Sequence, residues 1–153
     1  MSKSIVTQIL EAGLTPPPAM YNYSNTQLVK ICNGCGAADS WLNYIIPEGY
    51  DDVEFIAACY IHDFDYYMGD CLQDKVNADA AFLANLIMLC NMDYEVGRKR
   101  LCSRHGRAYL YFSMVDRFGH KAFVAGRGIK LETAEIIKSL PEPEVVNGVG
   151  DTY

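Results

Sequence analysis

The sequence predicts a mainly α protein whose centre is two long antiparallel helices. Apolar residues recur at helical spacing over residues 52–68 and again over residues 75–92. Gly69 lies between these segments, where it would end the first helix. A glycine- and cysteine-rich stretch, residues 32–36, precedes the first helix and predicts a loop packed across the helix ends.

Length and composition favour a single globular domain. The chain has 153 residues, half of them hydrophobic, which is enough to bury a core. The net charge of -6 argues against a nucleic-acid-binding protein and against strong attraction to anionic membranes. The one basic cluster, residues 98–107, is predicted to be a solvated helix end.

Residues 1–30 are predicted to form an N-terminal helix and a proline-rich lead. Residues 4–12 have an amphipathic pattern that Gly13 would stop, and residues 26–31 predict a second short helix. Three consecutive prolines, residues 16–18, favour an extended polyproline-like segment between them.

No secretory signal is evident, because no sustained apolar run follows the basic start of the chain. The longest apolar stretch, residues 78–92, is too short to span a bilayer. We therefore expect a soluble protein. Secretion, association with a virion and release by a non-classical route all stay open.

The remaining boundaries follow from turn and capping residues. Asp51 and Asp52 are predicted to cap the first long helix, since short acidic side chains accept from exposed N–H groups. A third helix is expected over residues 95–117. The core is then residues 31–125, and residues 126–153 form an extended or disordered tail.

His62 and Asp63 are the first candidates for chemistry. Neighbouring residues on a helix are rotated by about 100 degrees, so the two side chains face different ways. The imidazole suits a general base, and the carboxylate suits calcium. Backbone bent at Gly34 and Gly36 could add carbonyl oxygens to the metal site.

A histidine base also needs an acceptor for its other ring nitrogen. Asp79, on the second long helix, can accept that hydrogen bond. Tyr66 lies one turn after His62 and could hold the Asp79 carboxylate. Taken singly, Asp79 would more often be a charge at a helix start, and Tyr66 would more often be a core residue.

Three motifs together resemble the calcium-dependent phospholipase A2 family. They are NGCG at residues 33–36, CYIHDFDY at residues 59–66 and KVNADAAF at residues 75–82. The likeness covers residues 32–90 and is closest to the divergent group XII-like and viral members. It implies a phospholipase A2-like fold and lipid degradation. The enzyme would cleave the sn-2 ester of glycerophospholipids at a membrane surface, releasing fatty acid and lysophospholipid.

The resemblance also implies roles for individual residues. His62 would activate water, with Asp79 and Tyr66 as its catalytic partners. Calcium, the implied cofactor, would be held by Asp63 and by loop carbonyls, and the oxyanion would lie at Gly36. The loop carbonyls are those of Asn33, Cys35 and Ala37. The family usually has a further glycine after the loop, where this chain has alanine.

In the family, the loop cysteine pairs with the cysteine three residues before the histidine, which implies a Cys35–Cys59 disulfide here. Two other family bridges lack both cysteines: one would join positions 58 and 85, and the other positions 65 and 78. The remaining cysteines have no assigned partners. Five apolar residues are candidates for contact with the acyl chain or membrane: Ile31, Trp41, Leu42, Ile45 and Ile46. Trp41 is equally compatible with a buried position.

Two alternatives stay open. Cys32, Cys35, Cys59 and His62 have the spacing of zinc ligands, which would indicate a structural metal site in a non-catalytic binding module. A phospholipase A2-like fold that has lost activity and binds a partner is the other. Oxygen ligands select calcium and thiolates select zinc, so the identity of the metal separates the first alternative from the enzyme.

Overall fold

The computed structural model describes residues 3–32, 49–93 and 95–124, and these are mainly helical, as the sequence predicts. The predicted calcium loop and the predicted tail lie outside the described residues. The elements in chain order are α1 (Ile5–Glu11), a 3₁₀ helix (Pro18–Asn22), α2 (Asn25–Ile31), β1 (Gly49–Tyr50), β2 (Val53–Glu54), α3 (Ile56–Met68), α4 (Leu72–Asn91) and α5 (Arg98–Phe118).

Serine caps set the starts of the two N-terminal helices. The Ser4 hydroxyl accepts a hydrogen bond from Thr7 N–H before α1. Ser24 and Gln27 form a reciprocal capping box, which starts α2 one residue earlier than predicted. Gly13 has a φ of 79°, in the left-handed region, and stops α1 where the sequence predicts it.

The proline-rich segment ends in a 3₁₀ helix that the sequence pattern does not predict. Pro17 is extended, with φ −52° and ψ 134°, in keeping with the predicted polyproline-like segment. Pro18 then takes the first position of the 3₁₀ helix, where its missing N–H costs no hydrogen bond. Met20 from this turn is fully buried.

A small hairpin replaces the predicted start of the first long helix. Tyr50 pairs with Val53 in an antiparallel ladder, and Asp51 and Asp52 form the turn with φ of 53° and 65°. A two-residue hairpin turn favours positive φ at both positions, which aspartate tolerates better than most residues. The prediction that Asp52 begins a helix is therefore wrong, and α3 begins at Ile56.

A buried arginine holds this hairpin against α5. Arg104 Nε donates to Asp51 Oδ2 at 2.9 Å, and Arg104 Nη2 donates to the Asp51 carbonyl at 2.8 Å. Arg104 is only 2% exposed, whereas Arg100, which also binds Asp51, is largely exposed. The prediction of a solvated basic cluster is thus wrong for Arg104.

α3 and α4 are joined by residues 69–71 and pack antiparallel. The His62 ring contacts Phe82 while Tyr66, further along α3, meets Asp79, earlier on α4. α4 begins one turn before the predicted residue 75, because Asp74 Oδ2 accepts from the N–H of Cys71 in a capping box.

One hydrophobic core joins all five α-helices. Phe55 and Tyr111 meet edge to face with ring centroids 5.4 Å apart, which fastens α5 to the start of α3. The N-terminal helices contribute buried side chains to the same core: Ile5, Ile9, Leu28 and Ile31. Among the described helices, none is long and apolar enough to cross a membrane.

Candidate active site

Two facing helices bring three of the predicted site residues together. His62 and Tyr66 lie one turn apart on α3, and Asp79 lies opposite them on α4. All three are buried, with exposed fractions of 6%, 4% and 2% respectively. The spacing of four residues places both α3 side chains on the face that contacts α4.

His62 and Tyr66 share one oxygen of Asp79. His62 Nε2 lies 2.8 Å from Asp79 Oδ1, and the Tyr66 hydroxyl donates to the same oxygen at 2.6 Å. An ionised carboxylate can only accept, so Nε2 carries the proton and Nδ1 keeps its lone pair. Among the described residues, none forms a hydrogen bond with Nδ1. The imidazole therefore has the tautomer that a general base needs.

Aromatic packing orients the imidazole. The ring centroid of His62 lies 4.1 Å from that of Tyr66 and 4.6 Å from that of Phe82. Contact with two rings restricts the rotation of the histidine, so its hydrogen bond to Asp79 is not the only constraint on its direction.

Residues that follow the end of α5 pack against Tyr66. The ring of Phe123 meets the Tyr66 ring edge to face at 5.3 Å. Gly119, the C-cap of α5, lies so close that a side chain there would collide with the Tyr66 hydroxyl. Absence of a side chain at Gly119 thus leaves the space that the tyrosine needs to reach Asp79.

Lys75 is a site residue that the sequence analysis misses. Its ammonium lies 2.6 Å from Asp79 Oδ2, the oxygen that His62 and Tyr66 do not use. Lys75 is 4% exposed, which is rare for a lysine unless it is paired. The signal that could have found it is its position four residues before Asp79, which places both on one helix face.

The hydrogen bonds and burial set the charges of the site. Burial opposes ionisation of Asp79, but the hydrogen bonds from His62, Lys75 and Tyr66 outweigh it and hold its pKa below the usual range. Burial lowers the pKa of His62 more than the neighbouring Asp79 raises it, and the charge of Lys75 lowers it further. Burial and the adjacent Asp79 raise the pKa of Tyr66. The site therefore combines an ionised Asp79 with a neutral His62 and a neutral Tyr66.

Asp63 is half-buried and does not belong to this hydrogen-bonded set. It lies near enough to Cys32 for its charge to act there: burial, then the charges of Asp63 and Asp65, raise the pKa of the Cys32 thiol to about 12. Cys32 is the last described residue before the predicted calcium loop. The charge of a carboxylate, the ligand type calcium prefers, is thus felt at the residue where that loop begins.

The other predicted metal and oxyanion residues are not placed. Asn33, Cys35, Gly36 and Ala37 lie outside the described residues, as does Trp41. Within the described residues, no three side chains of histidine, cysteine, aspartate or glutamate form a group that could hold a metal ion.

The cysteines bear on the zinc alternative. Cys59 is disulfide-bonded, whereas Cys32, Cys71, Cys90 and Cys102 are free thiols. The predicted partner of Cys59, Cys35, lies outside the described residues, so that pairing stays a prediction. A sulfur in a disulfide is not a thiolate ligand, and His62 Nε2 is already engaged by Asp79, so neither residue favours a zinc site.

Comparison with known protein families, with curated proteins and with solved structures finds no match for this chain.

Proposed function

We propose that this chain is a calcium-dependent, phospholipase A2-like carboxylic ester hydrolase. It would cleave the sn-2 ester of glycerophospholipids and release fatty acid and lysophospholipid. The observation that carries the proposal is the buried hydrogen bond between His62 and Asp79, with Tyr66 on the same carboxylate oxygen. This is the arrangement of a base and its orienting acid, and it joins residues from two of the family-like motifs.

The chain's own residues supply the proton transfers. In the proposed mechanism His62 Nδ1 takes a proton from water as the water oxygen bonds to the ester carbonyl carbon. Asp79 stabilises the imidazolium that forms, because its Oδ1 accepts from Nε2. His62 then returns the proton to the alkoxide of the lysophospholipid as the ester C–O bond breaks. The sum of the steps is hydrolysis, with His62 regenerated.

Asp63 is the described residue that would hold calcium. Asp63 follows His62 directly and therefore lies on a neighbouring helix face. In the proposed site the base and the metal ligand would approach the substrate from different sides. The other proposed ligands are the carbonyls of Asn33, Cys35 and Ala37, with Gly36 at the oxyanion. When bound, calcium would supply polarisation of the ester carbonyl and stabilise the oxyanion.

The proposed partner is a phospholipid surface. Cleavage of a diacyl lipid requires passage of an acyl chain from the bilayer to the imidazole, and we propose that Trp41 contacts that surface. The net charge of -6 favours zwitterionic over anionic lipid, and it argues against a nucleic-acid partner. Phosphatidylcholine vesicles are therefore the first substrate to use.

The test is release of fatty acid from phosphatidylcholine vesicles labelled in the sn-2 acyl chain. It compares calcium with a chelator, for the parent chain and for His62→Ala. We expect calcium-dependent release from the parent and loss of release in His62→Ala, because His62 is the residue proposed to accept the proton from water. Calcium binding by His62→Ala should be retained, since the proposed ligands are unchanged.

His105→Ala is the matched control, because His105 is a half-buried histidine that bonds Asn91 on the far part of α4. It should release fatty acid at the parent rate. Normal turnover by His62→Ala would rule out the assigned base. If no chain releases fatty acid, bound metal decides what replaces the proposal: zinc would favour the structural site of a binding module, and calcium would favour a silent phospholipase A2-like fold.

A further inference from the structure

We propose that Lys75 is a positioning residue of this site: it holds Asp79 by Oδ2 and ties it to the end of α5, so that Oδ1 is presented to His62 and Tyr66. The proposal rests on the function proposed above, to which it adds a residue. It starts from the division of the carboxylate between two sets of donors. One oxygen takes the ammonium at 2.6 Å, and the other takes the imidazole and the phenol.

The ammonium of Lys75 has a partner for each of its protons. Besides Asp79 Oδ2, Nζ donates to the carbonyls of Val115 and Asp116, each at 3.3 Å. A lysine ammonium has three N–H donors, and three oxygens receive them here. This geometry restricts both the lysine and the carboxylate that it binds.

The two carbonyls belong to the last part of α5, which ends at Phe118. The carbonyl end of a helix carries partial negative charge, so a cation there is stabilised. Lys75 thus connects α4, which carries Asp79, with the C-terminal end of α5, whose neighbouring Gly119 and Phe123 contact Tyr66. The carboxylate is thus tied to the end of α5, and its phenol donor contacts residues that follow that end.

Charge supplies the second argument. A buried carboxylate needs a compensating cation. Of the described residues that contact Asp79, His62 alone could become one if Lys75 were absent. Lys75 compensates the charge on its own, so the imidazole is free to act as a neutral hydrogen-bond donor to Asp79. An ordinary core ion pair would not need to leave one oxygen for a histidine and a tyrosine.

The test compares Lys75→Met, Lys75→Arg and Lys99→Met with the parent chain. Methionine keeps most of the aliphatic length of lysine without the charge, and Lys99, exposed in the first turn of α5, is the matched control. One readout is the split between kcat and KM for fatty-acid release. The other is the His62 Nε2 proton in the NMR spectrum of the free protein, assigned by its loss in His62→Ala.

We expect Lys75→Met to lower kcat by about 10- to 100-fold, the usual effect of losing a residue that orients a catalytic group, with KM nearly unchanged. The Nε2 proton signal should shift or disappear. Lys99→Met should match the parent in both readouts. Lys75→Arg, which keeps the charge, should have a kcat between those of the parent and Lys75→Met. A folded Lys75→Met with parental kcat and a parental Nε2 proton would overturn the proposal.

Two features keep the test decisive. If the parent chain does not hydrolyse phospholipid, the proposed function fails, but the Nε2 proton still reports whether Lys75 orients Asp79 towards His62. If Lys75→Met does not fold, the lysine ammonium signals of the parent chain decide. A slowly exchanging ammonium that is lost in Lys75→Arg supports the proposal, and its absence from the parent overturns it.

Discussion

Lys75 and Asp79 form an ion pair that is almost wholly inside the protein. The nitrogen and oxygen lie 2.6 Å apart, and the two side chains are only 6% and 2% exposed. The residues are four apart on α4, a spacing that also occurs on solvated helix surfaces, where such pairs add little stability. Here α3 and α5 cover the pair, so removal of one partner leaves the other charge buried and alone.

Asp79→Asn is therefore expected to destabilise the fold strongly at neutral pH. Removing one member of a buried pair costs about 3–5 kcal/mol, because the remaining charge is uncompensated. Asparagine keeps the shape and can still accept from His62, so the loss reports charge rather than packing. Urea denaturation of the parent and the variant measures the difference in free energy of unfolding.

The difference between parent and Asp79→Asn should also depend on pH. The pKa of Asp79 is lower in the folded state than the usual value of about 3.9. The carboxylate therefore contributes stability that is fully present above about pH 4 and is lost as the pH falls through the folded-state pKa. The stability difference should shrink in acid, since the parent then also has a neutral side chain opposite Lys75. A difference that stays constant into acid would contradict the assigned ionised state.

A methyl group at position 119 should disturb the site although no proposed catalytic residue is itself replaced. In Gly119→Ala the new side chain would collide with the Tyr66 hydroxyl and with the carbonyl of Val115. Because the backbone is hard to move, we expect both lower stability and a lower rate of fatty-acid release.

Gly106→Ala is the matched control for Gly119→Ala, since it lies on the same helix and a side chain there would meet nothing within 4 Å. Alanine is the better helix former, so Gly106→Ala should stabilise the protein by about 0.5–1 kcal/mol and leave the rate unchanged. Thermal unfolding and vesicle assays on both variants give the comparison. Equal behaviour of the two variants would mean that Tyr66 does not depend on the space at Gly119.

Asp63→Asn should weaken calcium binding and hydrolysis together. The proposed site has only one carboxylate among the described residues, so loss of its charge removes the strongest proposed ligand for a hard cation. Asp65→Asn, two residues further on α3, is the control and should bind calcium as the parent does. Calorimetric titration with calcium and vesicle assays over a range of calcium concentrations measure both effects. Parental calcium affinity in Asp63→Asn would place the metal elsewhere.

The sequence predicts the long helices well because periodicity is a local property. The apolar spacing on either side of Gly69 identifies α3 and α4 to within a few residues. The predicted start of the first long helix is wrong at Asp51 and Asp52, since aspartate favours both helix caps and left-handed turns. Arg104, which binds Asp51 from α5, is distant in sequence and gives no local signal.

In the candidate site too, local sequence patterns predict some residues, whereas contacts between distant elements determine others. Helix geometry alone predicts that the neighbouring residues His62 and Asp63 face different ways. The structure brings Asp79 and Tyr66 to the imidazole. Lys75 escapes the sequence analysis because a lysine four residues before an aspartate usually forms a solvated pair. Its burial depends on where α5 ends, which only the packing of three helices determines.

Arg104 and Arg100 provide a last comparison, because both bind Asp51 from α5 but differ in burial. Arg104→Met should destabilise the protein by on the order of 2 kcal/mol, since it removes two hydrogen bonds that hold the hairpin. Arg100→Met should have a much smaller effect, because an exposed ion pair is weakened by water and salt.

Urea denaturation at low and high salt measures both arginine variants. The effect of Arg100→Met should fade as salt is added, whereas that of Arg104→Met should persist, because Arg104 is almost wholly buried. Arg104 Nη1 is buried without a hydrogen-bond partner among the described residues, at 3.6 Å from Asp93 Oδ2. Burial of an unpaired donor is itself unfavourable, so the loss of stability in Arg104→Met is smaller than the two hydrogen bonds alone would give. Equal losses in the two variants would show that the hairpin is held by surface charge and not by the buried guanidinium.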